Sequence, residues 1–561
     1  MLLLLLACPQ TADAPAETAE ETASPIDWPS EGTVLDHLTL VDGNGARADK
    51  ALVLVGDTIW AVTDAGQAWP EQLTVQDTGG AYALPGLIDS HVHLAYTGAL
   101  IDQGDLINEN VDATLAWGVV GVVDVGGPVW TYALRDSLHA TSLHVKATGP
   151  FLTAEGSHPC ELTYDRQLCV FIEDAAPAQD LVDQGADGLK VALADAGIDA
   201  TWPRLDPDLI EDVAALGAPV FVHVGSAQDA TDAGAVHLTH TPFDSAMSAV
   251  GPLESVHSTI GANGSILWTD DIPDTVPAAV AATWNGSAYP VWMGAAEAWT
   301  VIARQNLAFL VQNEAPVVAG SDAGYYFVPH GYALHRELQE LVNAGMSPQQ
   351  AIAAATSIPA ERYGFEGLGC LDEGCEASLV LLNANPLDDI ANTTSIREVW
   401  LRGQPAQPSD VGTEAFCMDD GDCSTGRCDL VLHVCEDACT AWSADNSCGE
   451  DSWCAATDTN GLGVCHAEVA PCDWKAQDCL PLYGETCIPA DLDTNYCWPS
   501  GPAQLLDSCS YDNPNTRCEQ GLYCSPVSFV CLEYCQVDQD CSWGSCQWQQ
   551  AAGEDWFGLC Y

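Results

Sequence analysis

The chain has 561 residues, 47% of them hydrophobic, and a formal net charge of −65 from 80 acidic and only 15 basic side chains. That length exceeds what one hydrophobic core serves, so about two or three folded units are expected, and the apolar content excludes disorder throughout. The charge excludes nucleic acid as a partner, because phosphate recognition relies on a basic face.

The first residues, MLLLLLAC, are too few to span a bilayer. Leu5-Leu6-Ala7-Cys8 resembles a bacterial lipobox, in which cleavage before the cysteine leaves it lipidated; residues 1–8 are therefore read as a lipoprotein-type signal segment with Cys8 as the lipidation site. The basic residues that usually precede such a run are missing, which leads us to expect a start upstream of Met1. Residues 9–30, opening PQTADAPAETAEETASP, form a polar tether with no apolar period. The expectation is an exported protein of a bacterial cell envelope or surface, touching the membrane only through its N-terminal lipid.

From residue 31 the pattern is short β-strands and turns: TVLDHLTLVDGNG, KALVLVGDTIWAV, LTVQDTGGAYAL. After Leu84 it becomes strand then helix, repeated. The candidate strands are GLIDSHVHL, VVGVVDVGG, LHVKATGP, DGLKVAL, PVFVHVG, AVHLTHT, GSILWTD and PVVAGSD. Alternation of this kind predicts an α/β fold, a (β/α)8 TIM barrel, over residues 85–365. Two later strands, ASLVLLNA and IREVWLRGQ, are expected to join the first ones, because chain ends commonly lie close together. Residues 31–84 plus 366–408 are accordingly read as one small composite β-sandwich domain.

Barrel sites form at the C-terminal ends of the strands. There His91 and His93 end the first strand, and as residues i and i+2 they project to one side. Lys190 lies in the fourth strand, His223 in the fifth, His240 ends the sixth and Asp322 follows the eighth. Each is polar where burial without a partner is costly. His237 is three residues from His240 and so faces the opposite way; His240 is chosen. His158 and His330 sit on loops after the third and eighth strands, while His37, His139, His144, His257, His335, His433 and His466 carry no motif and are read as structural.

LPGLIDSHVHL, GADGLKV and VVAGSDAG resemble the first-, fourth- and last-strand motifs of the amidohydrolase superfamily. HRELQELVNAGMSPQQAIAAATSIPAERYG and LGCLDEGCEASLVLLNANPLDDI are similar to its imidazolonepropionase-like and prolidase-like members. The resemblance covers roughly residues 33–405. It implies that His91, His93 and Asp322 hold a buried divalent ion, that His223 and His240 hold a more exposed one, and that Lys190 bridges them as a carbamate formed with carbon dioxide. A free ammonium has no lone pair to offer, whereas a carbamate has two anionic oxygens suited to Zn2+. The chain holds only four lysines, Lys50, Lys146, Lys190 and Lys475, which adds weight to one at this motif. His158 and His330 correspond to substrate-facing positions.

These ligands imply a binuclear metal-dependent hydrolase in which a metal-bridging hydroxide attacks an amide, peptide, ester or lactone of a small-molecule or dipeptide-like substrate. Asp322 would take the proton of the water and deliver it to the leaving group. Two other readings stay open: a one-metal hydrolase or deaminase of a cyclic amide or amidine, and a surface binding protein with no catalysis. The first would leave Lys190 idle and lacks a glutamate close behind His223, where Gln228 and Asp229 stand. No P-loop or GxGxxG motif directs the reading elsewhere.

Residues 416–561 hold 20 of the 25 cysteines, with no C-x2-C pair of the zinc-ribbon kind. CMDDGDCSTGRC and CQVDQDCSWGSC share the spacing C-x5-C-x4-C, an internal repeat. A disulfide-rich spacer is expected, since small units of this kind lack a core. Cys160/Cys169 and Cys370/Cys375 are expected to pair locally.

Overall fold

The structure, a computed structural model, describes residues 27–97, 101–102, 107–160, 168–193, 203–234, 236–264, 289–325 and 327–406, and beyond these the backbone of short strands between Arg427 and Cys560. The signal segment with Cys8, nearly all of the tether and the side chains of the Cys-rich region lie outside the described residues. Five strands come first: β1 Thr33–Asp42, β2 Gly45–Val55, β3 Thr58–Asp64, β4 Thr74–Asp77 and β5 Tyr82–Pro85. β1 and β2 form an antiparallel hairpin that turns tightly from Asp42 to Gly45, whose φ of +120° suits glycine.

β6 Leu87–Val92 begins the parallel part. A small antiparallel pair, β7 Tyr96–Thr97 and β8 Ile101–Asp102, follows, then β9 Val119–Asp124, β10 His144–Ala147, β11 Phe151–Thr153 and β12 Cys169–Phe171. β13 Leu189–Ala192, β14 Val220–His223, β15 His237–Leu238, β16 Ser255–His257 and β17 Val317–Val318 complete it. Helices such as Ile107–Ala116, Thr131–Thr141 and Asp208–Ala214 separate most of them, as parallel pairing requires. Every residue of β6, β9, β13 and β14 is buried, which is why their sequences read as continuous apolar runs broken by a few polar residues.

These strands form two parallel sheets, β10-β9-β6 and β12-β11-β13-β14-β15-β16-β17. The segment after β17 returns alongside β6: Ser90 N donates to Ala319 O at 3.0 Å, Asp322 N to His91 O at 2.8 Å and His93 N to Ala323 O at 2.8 Å. One expected strand is corrected. The seventh parallel strand is Ser255–His257 and not GSILWTD, where a short helix ends at Gly264 and the rest lies outside the described residues. Three residues are too few to show a period, and β16 is fixed by its neighbours, pairing with β15 on one side and β17 on the other.

The chain then returns to its beginning through β18 Leu379–Leu382, β19 Ile396–Leu401 and β20 Gln404–Pro405. β18 lies antiparallel to β5, with Leu379 opposite Pro85 and Leu382 opposite Tyr82. Hydrogen bonds join both flanks into one branched sheet, β20-β19-β18-β5-β1-β2-β3 with β4 on β1. The ten-residue β1 is long enough to take β4 along Thr33–Asp36 and β5 along Thr39–Leu40. Period-two alternation sends Leu35, Leu52 and Leu54 into one core and Val34, Ala51 and Val53 into another beside Trp28, Trp60 and Trp69. Disulfides join Cys160 to Cys169 and Cys370 to Cys375.

Candidate metal centre

At the C-terminal end of β6, His91 and His93 converge on Asp322, whose Oδ1 lies 3.1 Å from His91 Nε2 and 3.2 Å from His93 Nε2. One ligand atom from each residue lies within 4.8 Å of the others. Protonation shows what this contact needs. His91 Nδ1 lies 2.7 Å from Thr239 O and His93 Nδ1 lies 3.0 Å from Gly126 O; a carbonyl only accepts, so each Nδ1 donates, and Nε2 is the ring atom left to meet Asp322 or a cation. Burial pushes the His91 imidazole down to about 4, which keeps Nε2 unprotonated near neutral pH. Two imidazole Nε2 atoms and a carboxylate oxygen thus converge, a donor set that could hold a cation.

The left-handed turn at Asp322, with φ of +63°, aims its carboxylate at the histidines. Such a conformation at a non-glycine residue costs about 1–3 kcal/mol and persists where surrounding bonds over-determine it. Asp89 supplies several of those bonds. Its Oδ1 accepts from His91 N at 3.1 Å and Ser321 N at 2.9 Å, and its Oδ2 accepts from Ser321 Oγ at 2.5 Å. Asp124, at the end of β9, accepts from Leu94 N at 3.3 Å and Gly126 N at 3.4 Å, bracing the peptide whose carbonyl holds His93. Burial raises these two carboxyls to about 7 and about 6, respectively.

Lys190 is 1% exposed and its Nζ donates to Thr239 Oγ1 at 2.9 Å. Burial, opposed by Asp322 and Asp124, brings the amine down to about 7. A lysine with an accessible neutral form is the nucleophile that carbon dioxide requires. Thr239 thus serves two candidates, holding His91 through its carbonyl and Lys190 through its hydroxyl.

His223 ends β14, with its ring centroid 4.6 Å from that of His240 and its buried Nε2 without a hydrogen-bond partner. His240 Nδ1 lies 3.0 Å from Thr259 Oγ1, and its ring is 4.9 Å from that of His91. His237 faces away, against Ser255 Oγ at 2.8 Å and the Phe221 ring. The His158 ring lies tilted against that of His223, centroids 4.5 Å apart, with its carbonyl held by Thr153 Oγ1 at 3.0 Å, and His330 is buried near His93. Burial pushes both of these imidazoles down to about 3. These eight residues singled out from the sequence thus gather at one end of the parallel strands. Asp229 does not join them, because Arg204 holds its Oδ1 at 2.5 Å and Ser226 Oγ accepts from its backbone N–H.

Sequence reasoning passed over Asp89, Asp124 and the position of His257. Asp124 carried the same signal as the ligands, a polar residue ending an apolar strand. His257 lies beside His91, ring centroids 5.6 Å apart, and its Nε2 is 2.8 Å from Tyr363 OH.

Fold and site together define an α/β protein with a candidate cation centre at the ends of its parallel strands. A model described as amidohydrolase family matches residues 82–406, more than half of the chain, and the protein belongs to that family. It is 32% identical to an imidazolonepropionase of Deinococcus deserti over 117 residues, 18% of this chain and 29% of that protein. It is 26% identical to an adenine deaminase of Chelativorans sp. over 349 residues, 60% of this chain and 51% of the relative. The chain thus spans about half or less of the curated relatives it matches. A solved Xaa-Pro dipeptidase with bound methionine shares the fold, with a TM-score of 0.55 and 18% identity over 67% of this chain and 100% of that one.

Proposed function

We propose that the protein is a metal-dependent hydrolase that cleaves an amide, peptide, ester or lactone bond in a small-molecule or dipeptide-like substrate, with the two parallel sheets forming the wall of a (β/α)8 barrel. The observation that carries this is the convergence of His91, His93 and Asp322. The same reading takes Lys190 as a bridging carbamate and gives His223 and His240 a second ion, with Zn2+ suited to the nitrogen-rich donor set. Two divalent ions held there would acidify a water toward neutral pH and polarise the scissile carbonyl. Asp322 would take the proton of the attacking water and hand it to the leaving atom. His158 and His330, neutral and buried, would orient the substrate as hydrogen-bonding groups without adding charge.

A one-metal deaminase is the second reading, favoured by the similarity to an adenine deaminase over 349 residues. The engagement of Asp229 with Arg204 counts against it, since no carboxylate in the six residues after His223 is then free to move protons. Metal content separates the readings: near two ions per chain supports the first, near one the second, and near zero with no turnover a binding role. Replacing Lys190 with Ala removes the anionic bridge, so at least one ion and nearly all turnover should be lost while the fold persists. A short carboxylic acid at high concentration should restore part of both. Two ions and full turnover in K190A would sink the carbamate reading. A panel of dipeptides, acylated amino acids, lactones and aminopurines then identifies the bond.

A further inference from the structure

We propose that Asp89 is the positioning residue that sets His91 and Asp322 relative to one another, acting through Ser321; this rests on the metal centre proposed above. Asp89 and Ser321 are 1% and 0% exposed, and their bonds form a closed circuit between two segments far apart in sequence. The Asp89 carboxylate holds the backbone N–H of His91 and both the N–H and the hydroxyl of Ser321. Ser321 Oγ in turn accepts from Ala323 N at 3.0 Å, so the peptides before and after the left-handed Asp322 are both tied to this pair. Asp322 N closes the circuit on His91 O at 2.8 Å. Each bond acts on the backbone of a ligand residue or its neighbour, not on an ion. The role is to keep two ligand atoms at a fixed separation when nothing binds them.

Asp89→Asn keeps the shape but replaces one accepting oxygen with a donor, and Ser321→Ala removes the hydroxyl. Zn2+ titration of the metal-free full chain should show affinity falling about 10–100-fold in either variant, the range typical of groups that orient ligands. The double variant should fall little further, because the two residues act as one unit. Co2+ loaded in place of Zn2+ should show a shifted visible spectrum, which a merely structural loss of stability would not produce. If wild type takes up no Zn2+, the metal reading itself is wrong. If wild type binds and folded Asp89→Asn binds within twofold of it with an unchanged Co2+ spectrum, the positioning role is overturned. Should Asp89→Asn fail to fold, Ser321→Ala carries the same two readouts.

The 20 cysteines beyond residue 416 fall into consecutive fours: 417, 423, 428, 435; then 439, 448, 454, 465; then 472, 479, 487, 497; then 509, 518, 524, 531; and 535, 541, 546, 560. In every set the third and fourth occupy directly opposed register positions on antiparallel strands. Cys428 lies opposite Cys435, Cys454 opposite Cys465, Cys487 opposite Cys497, Cys524 opposite Cys531 and Cys546 opposite Cys560. We infer that this region is five tandem four-cysteine units, each closed by a disulfide between its third and fourth cysteines. Opposed residues on antiparallel strands have Cα atoms about 4.5–5.5 Å apart, within the range a disulfide spans. For each bond two thiols give up two protons and two electrons to a disulfide-bearing oxidoreductase, which leaves as its dithiol.

Mass spectrometry of the full chain, alkylated and digested without reduction, should recover those five linkages. Free, alkylated thiols at these ten positions, or a link from one set's third cysteine to another set, would overturn the assignment.

Discussion

Gly320 has no side chain because His91 takes the space: a Cβ there would lie 2.9 Å from His91 Cβ and 3.3 Å from both His91 N and His257 Cβ. These neighbours are backbone and Cβ atoms in fully buried strands, and neither can swing aside. Gly320→Ala should therefore displace His91 from Asp322 and lower Zn2+ affinity by at least tenfold, checked by titration of the folded, metal-free protein. An unchanged affinity would show that His91 does not hold the ion. At this scale the sequence was legible where a polar residue ends an apolar strand, as with His93, His223 and His240. Asp89 was hidden for a physical reason: it sits inside LIDSHV, and only the return of Ser321 from 232 residues away reveals its partners. The glycine likewise reads as part of a turn until His91 is placed against it.

The helix Tyr332–Asn343 presents a carboxylate to the interior, and this is its most testable property. Glu337 is 0% exposed; its two oxygens accept from Gly261 N at 2.6 Å and Ile260 N at 3.1 Å, at the start of the segment that follows β16. Burial pushes its carboxyl up to about 8 against those bonds. Between an unfolded value near 4.5 and about 8 the folded chain keeps a proton that the unfolded chain has lost, so the stabilisation is complete below the lower value and fades as pH rises through the upper one. Glu337→Gln stays neutral at every pH but loses one accepting oxygen, at a cost of about 1–3 kcal/mol. Thermal melts should show the gap between wild type and variant shrinking from pH 5 to pH 8.5, and a gap that widens would mean Glu337 is ionised in the fold. Elements were legible in proportion to their length. The buried runs LIDSHV and VVGVVD announce themselves, whereas β16 and β17, with three and two residues, owe their strand character to neighbours on either side.

At the scale of the whole molecule, the two ends of the family-matched part meet in one sheet, and this decides where the chain can be cut. β18 bridges β5 to β19, and Ala406 N still donates to Val399 O at 2.8 Å. Removing residues before β20 would therefore unpair an edge of the sheet that β1 and β5 share, whereas removing residues after 406 breaks none of its ladders. The sequence made this junction legible because β-type runs flank the strand–helix part on both sides, but it could not show a single branched sheet, since register is set by which strands happen to be neighbours. None of the six proposed ligands lies beyond Asp322. A chain ending at Ala406 should keep the melting temperature of the family-matched part, the metal content of the full chain and its turnover on whatever substrate the full chain is found to hydrolyse. Chemical reduction of the full chain should collapse the proposed cysteine hairpins, and any turnover it costs should be lost equally by the chain ending at Ala406, whose described residues hold the disulfides Cys160–Cys169 and Cys370–Cys375. Loss of turnover on truncation, with fold and metal retained, would show that the cysteine units reach into the reaction, and the reading of them as a spacer would have to be given up.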